Sequence, residues 1–129
     1  MPTPTEQAFS GDATSAASAR AFAKQSVDAL VPAPVPPTFY DDVELIVSEL
    51  VTNAIRADSA TVRVAVERVG ERLAIRVSDE AAGWPEQRTA GIHDTGGRGL
   101  PLVSALSVSW GVTMAASGKV VWAELEIPA

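Results

Sequence analysis

The strongest constraint on the fold is a pair of alternating apolar segments separated by a short turn. Valines recur at every second position within residues 61–69, and apolar residues alternate again over residues 73–77, after Gly70 and Glu71. A period of two predicts a strand with one buried face, and two such runs around a glycine turn predict a β-hairpin. The chain is therefore expected to contain a sheet that is built from hairpins.

The other periodic segments predict three helices and a second hairpin. Apolar residues recur at intervals of three and four in residues 15–30, 41–57 and 100–106, which is typical of the buried face of an amphipathic helix. Residues 108–115 and 120–127 alternate in the manner of strands. Strands paired as hairpins with helices between them predict an α+β fold, a two-layer sandwich whose mixed or antiparallel sheet carries helices on one face.

The length of 129 residues fits one domain, because a single core usually serves about 100–200 residues. Residues 1–14 contain little that could be buried, so we expect a flexible tail there and a domain over residues 15–129. The proline-rich residues 31–37 cannot continue a helix and are expected to form a stiff connector. Residues 81–99 have no apolar period and are rich in glycine, and loops of this length are usually functional.

The composition excludes several classes of protein. Without cysteine the chain can form neither a disulfide nor a thiolate metal site. A net charge of -6 argues against direct nucleic-acid binding, which needs a basic surface, although backbone N–H groups can still bind a single phosphate ligand. No apolar run reaches about 18 residues, and the first residues lack the pattern of a signal peptide. We therefore expect a cytoplasmic protein that does not contact a membrane.

A polar stripe borders the apolar face of the second predicted helix. Glu49, Asn53 and Arg56 are spaced i, i+4 and i+7 and so lie on one side of that helix. The spacing alone favours an ordinary solvated face. A carboxylate and an amide one turn apart can also do chemistry, because the amide oxygen is a ligand for Mg²⁺ and the carboxylate can accept a proton.

An aspartate ends the second strand of the first hairpin and opens the long loop. Asp79 could accept hydrogen bonds from an exocyclic amine such as that of adenine. The structural alternative, which the pattern alone favours, is an aspartate that begins a turn by bonding to its own backbone.

Glycines cluster immediately before the short helix. Gly96, Gly97 and Gly99 would allow the backbone to approach a phosphate closely, and the helix N-terminus would present free N–H groups, with Arg98 adding positive charge. A flexible connector is an equally good explanation of this pattern. The spacing matches neither a P-loop nor a dinucleotide-binding GxGxxG motif.

Together, the three polar features resemble the N, G1 and G2 boxes of the GHKL ATPase superfamily, which includes gyrase, heat-shock chaperones, histidine kinases and mismatch-repair ATPases. Residues 48–56 resemble the N box, residues 77–85 the G1 box and residues 97–103 the G2 box. Within the superfamily, the chain is most similar to the small anti-sigma-factor serine kinases and to short ATP-binding regulators of actinobacteria. The resemblance covers roughly residues 15–127 and implies the Bergerat fold of that superfamily.

The resemblance implies a role for each matching residue. Asn53 would bind the Mg²⁺ that bridges the phosphates, and Glu49 would act as the general base or orient a water. Asp79 would accept a hydrogen bond from the adenine amine, and Gly83 would let the chain pass close to the base. The other implied nucleotide contacts are Arg56, Gly97, Arg98, Gly99 and Leu100.

The implied function is that of a Mg-ATP-binding regulatory protein of the anti-sigma-factor serine/threonine kinase type. Such a protein binds a protein partner, either a sigma factor or an anti-sigma antagonist, and phosphorylates the antagonist. A switch that responds to ATP without catalysis is the alternative, because Ala81 stands where the G1 box usually has glycine. The only histidine, His93, lies in the loop, so a complete histidine kinase is not expected. The resemblance leaves open whether the protein is an enzyme and whether it forms a homodimer.

Overall fold

The computed structural model describes residues 4–32, 34–56, 60–79, 99–115 and 118–128. Within these ranges, five strands form one antiparallel sheet in the spatial order β1-β2-β3-β5-β4. The strands are β1 Thr5–Ser10, β2 Thr61–Val69, β3 Arg72–Asp79, β4 Ser109–Ala115 and β5 Gly118–Glu126. Both predicted hairpins are confirmed, and Gly70 takes the positive φ of 62° that the turn between β2 and β3 requires.

Three helices pack on one face of the sheet. They are α1 Ser15–Leu30, α2 Pro37–Arg56 and α3 Gly99–Leu106. Helix α1 covers β1 and β2, α2 covers β2, β3 and β5, and α3 packs between α2 and β4. The expected α+β two-layer sandwich is therefore confirmed, with an antiparallel sheet.

The core lies between the helices and the inner face of the sheet. Alternate residues of the central strands point inward, as the period of two predicts, and their removal from water is the main stabilising term of the fold. The buried residues of the strands include Val62, Val64, Val66, Leu73, Ile75, Val77, Val121, Ala123 and Leu125. Those of α2 include Val43, Ile46, Val47, Leu50 and Val51.

The expected flexible tail over residues 1–14 is wrong for its central part. Thr5–Ser10 forms β1 and pairs with β2 over its whole length. Phe9 is buried, and its ring lies edge-on to that of Phe22 in α1 at a centroid distance of 6.0 Å. An edge strand of this kind needs only backbone hydrogen bonds to a neighbour and one apolar anchor, so its composition does not reveal it.

The chain stays attached to the domain between β1 and α1. The backbone N–H of Gly11 donates to the carbonyl of Ala60 at 2.9 Å. Thr14 donates to Asp12 from its hydroxyl and from its backbone N–H, and these hydrogen bonds hold the pKa of the Asp12 carboxyl below its usual range.

Helix α2 begins four residues earlier than the periodicity predicted, at Pro37 instead of Asp41. Proline suits the first helical position because it has no N–H, and the first N–H groups of a helix have no partner within it. Phe39, in this added turn, is buried. Residues 31, 32 and 34–36, which separate α1 from α2, have neither helix nor strand structure, in agreement with a connector.

Within the described ranges, none of the helices is long and apolar enough to cross a membrane.

Candidate nucleotide-binding site

One end of the sheet carries Asp79, the last residue of β3. The register places Asp79 opposite Val62 on β2 and opposite Lys119 on β5. Residues 57–60 connect the end of α2 to the start of β2, and four residues span at most roughly 14 Å. The C-terminal end of α2 must therefore lie at the same end of the sheet as Asp79.

Helix α3 packs against α2. Thr38 and Phe39 at the start of α2 share a cleft with Leu106 and Ser107 at the end of α3. The described parts of the N and G1 boxes, at the end of α2 and the end of β3, lie at the same end of the sheet. The described G2 residues, Gly99 and Leu100, begin the helix that packs on α2.

The three residues of the polar stripe on α2 differ in how deeply they are buried. Asn53 is only 4% exposed, Glu49 is partly buried and Arg56 is exposed. Asn53 continues the buried stripe of Ile46 and Leu50 at helical spacing. A solvated helix face, the favoured alternative on pattern alone, therefore does not describe Asn53.

Asn53 has an unsatisfied side chain. Its Nδ2 is buried and has no hydrogen-bond partner among the residues that the structure describes. Leaving a buried polar group unpaired costs about 1–3 kcal/mol, and such groups in native proteins call for an explanation, of which a ligand is one. The side chain is therefore suited to a ligand that supplies polar contacts.

The chemistry of Asn53 fits a magnesium ion that arrives with a nucleotide. Its Oδ1 is a hard oxygen ligand, and Mg²⁺ at phosphate sites commonly takes only one or two protein oxygens, the others coming from phosphates and water. In the described part of the chain, no group of three or more His, Cys, Asp or Glu side chains is placed to hold a metal ion.

Asp79 is buried and forms an ion pair with Lys119. The exposed fractions are 4% for Asp79 and 1% for Lys119, and Lys119 Nζ donates to Asp79 Oδ2. A buried charge is costly unless it is paired and hydrogen-bonded. Sequence reasoning missed Lys119, although a signal was present: Lys119 lies two residues before Val121, which places it on the inward face of an alternating strand.

Of the other residues that are predicted to contact a nucleotide, the structure describes some and not others. Gly99 and Leu100 are the first two residues of α3, where backbone N–H groups have no partner within the helix and can donate to an anion. Gly83, Gly97 and Arg98 lie outside the described residues.

Comparison with known proteins identifies the family of the chain. Residues 9–125 match the family model of the histidine kinase-like ATPase domain. Since the match spans most of the chain, this chain belongs to the histidine kinase-like ATPase domain family. No curated protein matches it.

The fold is also similar to a solved structure. The crystal structure of the RsbU and RsbW domains of Rv1364c from Mycobacterium tuberculosis superposes with a TM-score of 0.71 at 16% sequence identity. The similarity covers 97% of this chain but 32% of the other, so this chain spans about a third of the length of that structure. At this level of identity the similarity concerns the fold alone.

Proposed function

We propose that this chain binds Mg-ATP between the end of α2, the end of β3 and the start of α3, and that it acts as a regulatory protein of the anti-sigma-factor serine/threonine kinase type. One observation carries the proposal: in a histidine kinase-like ATPase domain, the asparagine at the N-box position is buried and its amide N–H is unpaired among the described residues. Asp79, at the G1-box position, ends β3 at the end of the sheet where α2 also ends.

Each side chain has a distinct task in this proposal. Asn53 holds the magnesium ion, which when bound neutralises charge on the phosphates. Asp79 accepts a hydrogen bond from the 6-amino group of the adenine, close to Gly83. The phosphates are contacted by backbone N–H groups at the start of α3 and by cationic side chains, and the residues involved are Arg56, Gly97, Arg98, Gly99 and Leu100.

Glu49 is the general base. It lies one turn before Asn53 on the same side of α2 and is partly exposed, so an acceptor molecule can reach it. In the kinase reaction, the hydroxyl oxygen of a serine or threonine bonds to the γ-phosphorus, its proton passes to the Glu49 carboxylate, and ADP leaves. With water as the acceptor, the same geometry gives ATP hydrolysis.

The partner is a protein, either a sigma factor or an anti-sigma antagonist. The resemblance of the three boxes to those of anti-sigma-factor kinases supports this, and the net charge of -6 disfavours nucleic acid as a direct ligand. The fold similarity to a structure that contains an RsbW domain is compatible with it.

Calorimetric titration with ATP, in the presence and absence of Mg²⁺, tests the binding proposal. We expect Mg²⁺ to strengthen ATP binding to the wild type, and we expect Asn53→Ala to remove that dependence. Gln25→Ala, which removes an exposed amide from α1, is the matched control and should behave as the wild type. Equal affinities with and without Mg²⁺ in all three proteins would refute the assigned role of Asn53.

A second assay separates the kinase from the ATP-responsive switch. The switch is favoured by Ala81, which stands where the G1 box usually has glycine. If the backbone at this position requires a positive φ, alanine costs about 1 kcal/mol more than glycine. Wild type and Glu49→Gln are incubated with γ-labelled ATP and candidate antagonist proteins. Label transfer to serine or threonine that disappears in Glu49→Gln supports the kinase, whereas nucleotide-dependent partner binding without transfer supports the switch.

A further inference from the structure

The buried pair of Lys119 and Asp79 demands an explanation beyond stability. The chain has two lysines. Lys24 lies exposed on α1, as lysines usually do, whereas Lys119 is 1% exposed. Replacing a buried ion pair by apolar residues of similar size is often neutral or stabilising. A fold that needed only stability at this position would be equally well served by two apolar side chains.

The geometry holds the Asp79 carboxylate in one place. Residues 79 and 119 are direct partners in the β3–β5 register, and Nζ of the lysine donates to Oδ2 of the aspartate. Both side chains belong to the inner face of the sheet. The neighbouring pair on that face, two residues further along β3 and β5, is Val77 and Val121, and both are buried. The ammonium group therefore fixes which way the carboxylate faces and compensates its charge in a dry environment.

We infer that Lys119 is a positioning residue for recognition of the nucleobase: it holds the Asp79 carboxylate oriented so that the site selects a 6-aminopurine over a 6-oxopurine. This inference rests on the proposed function, in which Asp79 meets the 6-amino group. An ionised carboxylate only accepts hydrogen bonds, so it attracts the amine of adenine and repels the 6-oxo group of hypoxanthine. Such selection arises because the wrong ligand leaves a buried polar group of the site without a hydrogen-bond partner.

Removal of Lys119 predicts a loss of selectivity. Without Lys119, the Asp79 carboxylate loses the hydrogen bond that orients it and can turn away from the base. A carboxylate that is no longer held toward position 6 discriminates less between an amino and an oxo substituent there. Lys119 acts on the ligand only through Asp79, which faces the base. Its removal should therefore change the ratio of the affinities for the two nucleotides more than it changes the part of each affinity that comes from the phosphates.

The test compares ATP with inosine triphosphate by calorimetry in Mg²⁺. Wild type and the control Lys24→Met should prefer ATP. Lys119→Met should lower the ratio of the two affinities at least about tenfold, the effect of losing one hydrogen bond to a charged group. Wild-type selectivity in Lys119→Met, or an equal loss for both nucleotides, would overturn the inference and leave the proposed function standing. A folded wild type that binds neither nucleotide would overturn both.

The double variant Asp79→Asn/Lys119→Met covers the case in which Lys119→Met fails to fold. It removes both buried charges and keeps the shape of the pair. Its amide can donate or accept, so we expect a folded protein with little selectivity between the two nucleotides. Selectivity equal to that of the wild type in this folded variant would overturn the inference.

Chemical labelling of lysines tests the pair in the unaltered protein. With two lysines in the chain, mass spectrometry after brief treatment with an amine-reactive ester assigns each modification. We expect Lys119 to react at least about tenfold more slowly than Lys24, because reagent reaches a buried amine only when the structure opens locally. Equal rates would show that the ammonium is not held in the buried pair, and the inference would fail.

Discussion

Removing one member of the buried ion pair should destabilise the fold strongly. Asp79→Ala leaves the Lys119 ammonium, which is 1% exposed, without its carboxylate at the end of the sheet. Breaking a buried pair in this way typically costs about 3–5 kcal/mol, because one charge remains uncompensated. For a domain of this size, 1 kcal/mol corresponds to roughly 3–5 °C in Tm, so we expect Tm to fall by roughly 10–20 °C.

A cycle of variants separates the charge effect from lost packing. Thermal unfolding followed by circular dichroism is measured for wild type, Asp79→Ala and Asp79→Asn/Lys119→Met. The double variant should be within about 1 kcal/mol of the wild type or more stable, since neither charge is then buried. The control is Arg72→Met, which breaks the ion pair of Arg72 with Glu124 at 3.2 Å, where both side chains are much more exposed, and should cost less than about 1 kcal/mol.

Two results would refute this reasoning. If Asp79→Ala changed Tm no more than Arg72→Met does, Lys119 would not be confined to a dry environment. If the double variant were as unstable as Asp79→Ala, the loss would come from packing at the end of the sheet and not from an uncompensated charge.

Three further predictions concern other parts of the molecule. A Cβ at Gly111 would lie 2.7 Å from the Trp122 ring, so Gly111→Ala should cost about 1–3 kcal/mol and perturb tryptophan fluorescence; an unchanged Tm and spectrum would contradict the close contact. Phe9→Ala should cost about 3–5 kcal/mol in a denaturant titration, because Phe9 anchors β1 against Phe22, whereas a flexible tail would show no effect. Glu49→Gln should abolish phosphoryl transfer or hydrolysis while keeping ATP affinity within about threefold, and loss of binding would point to a structural role.

The sheet hairpins and the helices could be predicted because their information is local. The alternation of Val62, Val64 and Val66 around a glycine turn requires a particular register, since a shift by one residue would expose every valine. Asn53 and Asp79 could be singled out for a similar reason, because spacing within one helix and position at a strand end are visible along the chain, whereas the roles proposed for them come from the resemblance to the three boxes.

What could not be predicted depends on contacts between distant segments. Strand β1 is held by backbone hydrogen bonds to β2 and by the contact of Phe9 with α1, and neither leaves a periodic signal in residues 5–10. The pairing of Lys119 with Asp79 depends on the β3–β5 register, which joins residues 40 positions apart. The alternation also predicts a strand that begins at residue 120, one position after the lysine, and so leaves Lys119 outside the sheet.

Three of the buried polar residues, Asn53, Asp79 and Lys119, share one structural property that local patterns do not show. The inner face of β3 passes through Ile75 and Val77 and ends at Asp79, and the inner face of β5 passes from Val121 to Lys119 at the same rung. The buried stripe of α2 changes to Asn53 at that same end. Near this end of the sheet, α2, β3 and β5 each carry a buried polar side chain in a row that is otherwise apolar, although an apolar residue would cost less there. Local rules broken together at one location are expected at functional sites. The arrangement therefore favours a polar ligand at this end of the sheet, independently of the motifs that suggested one.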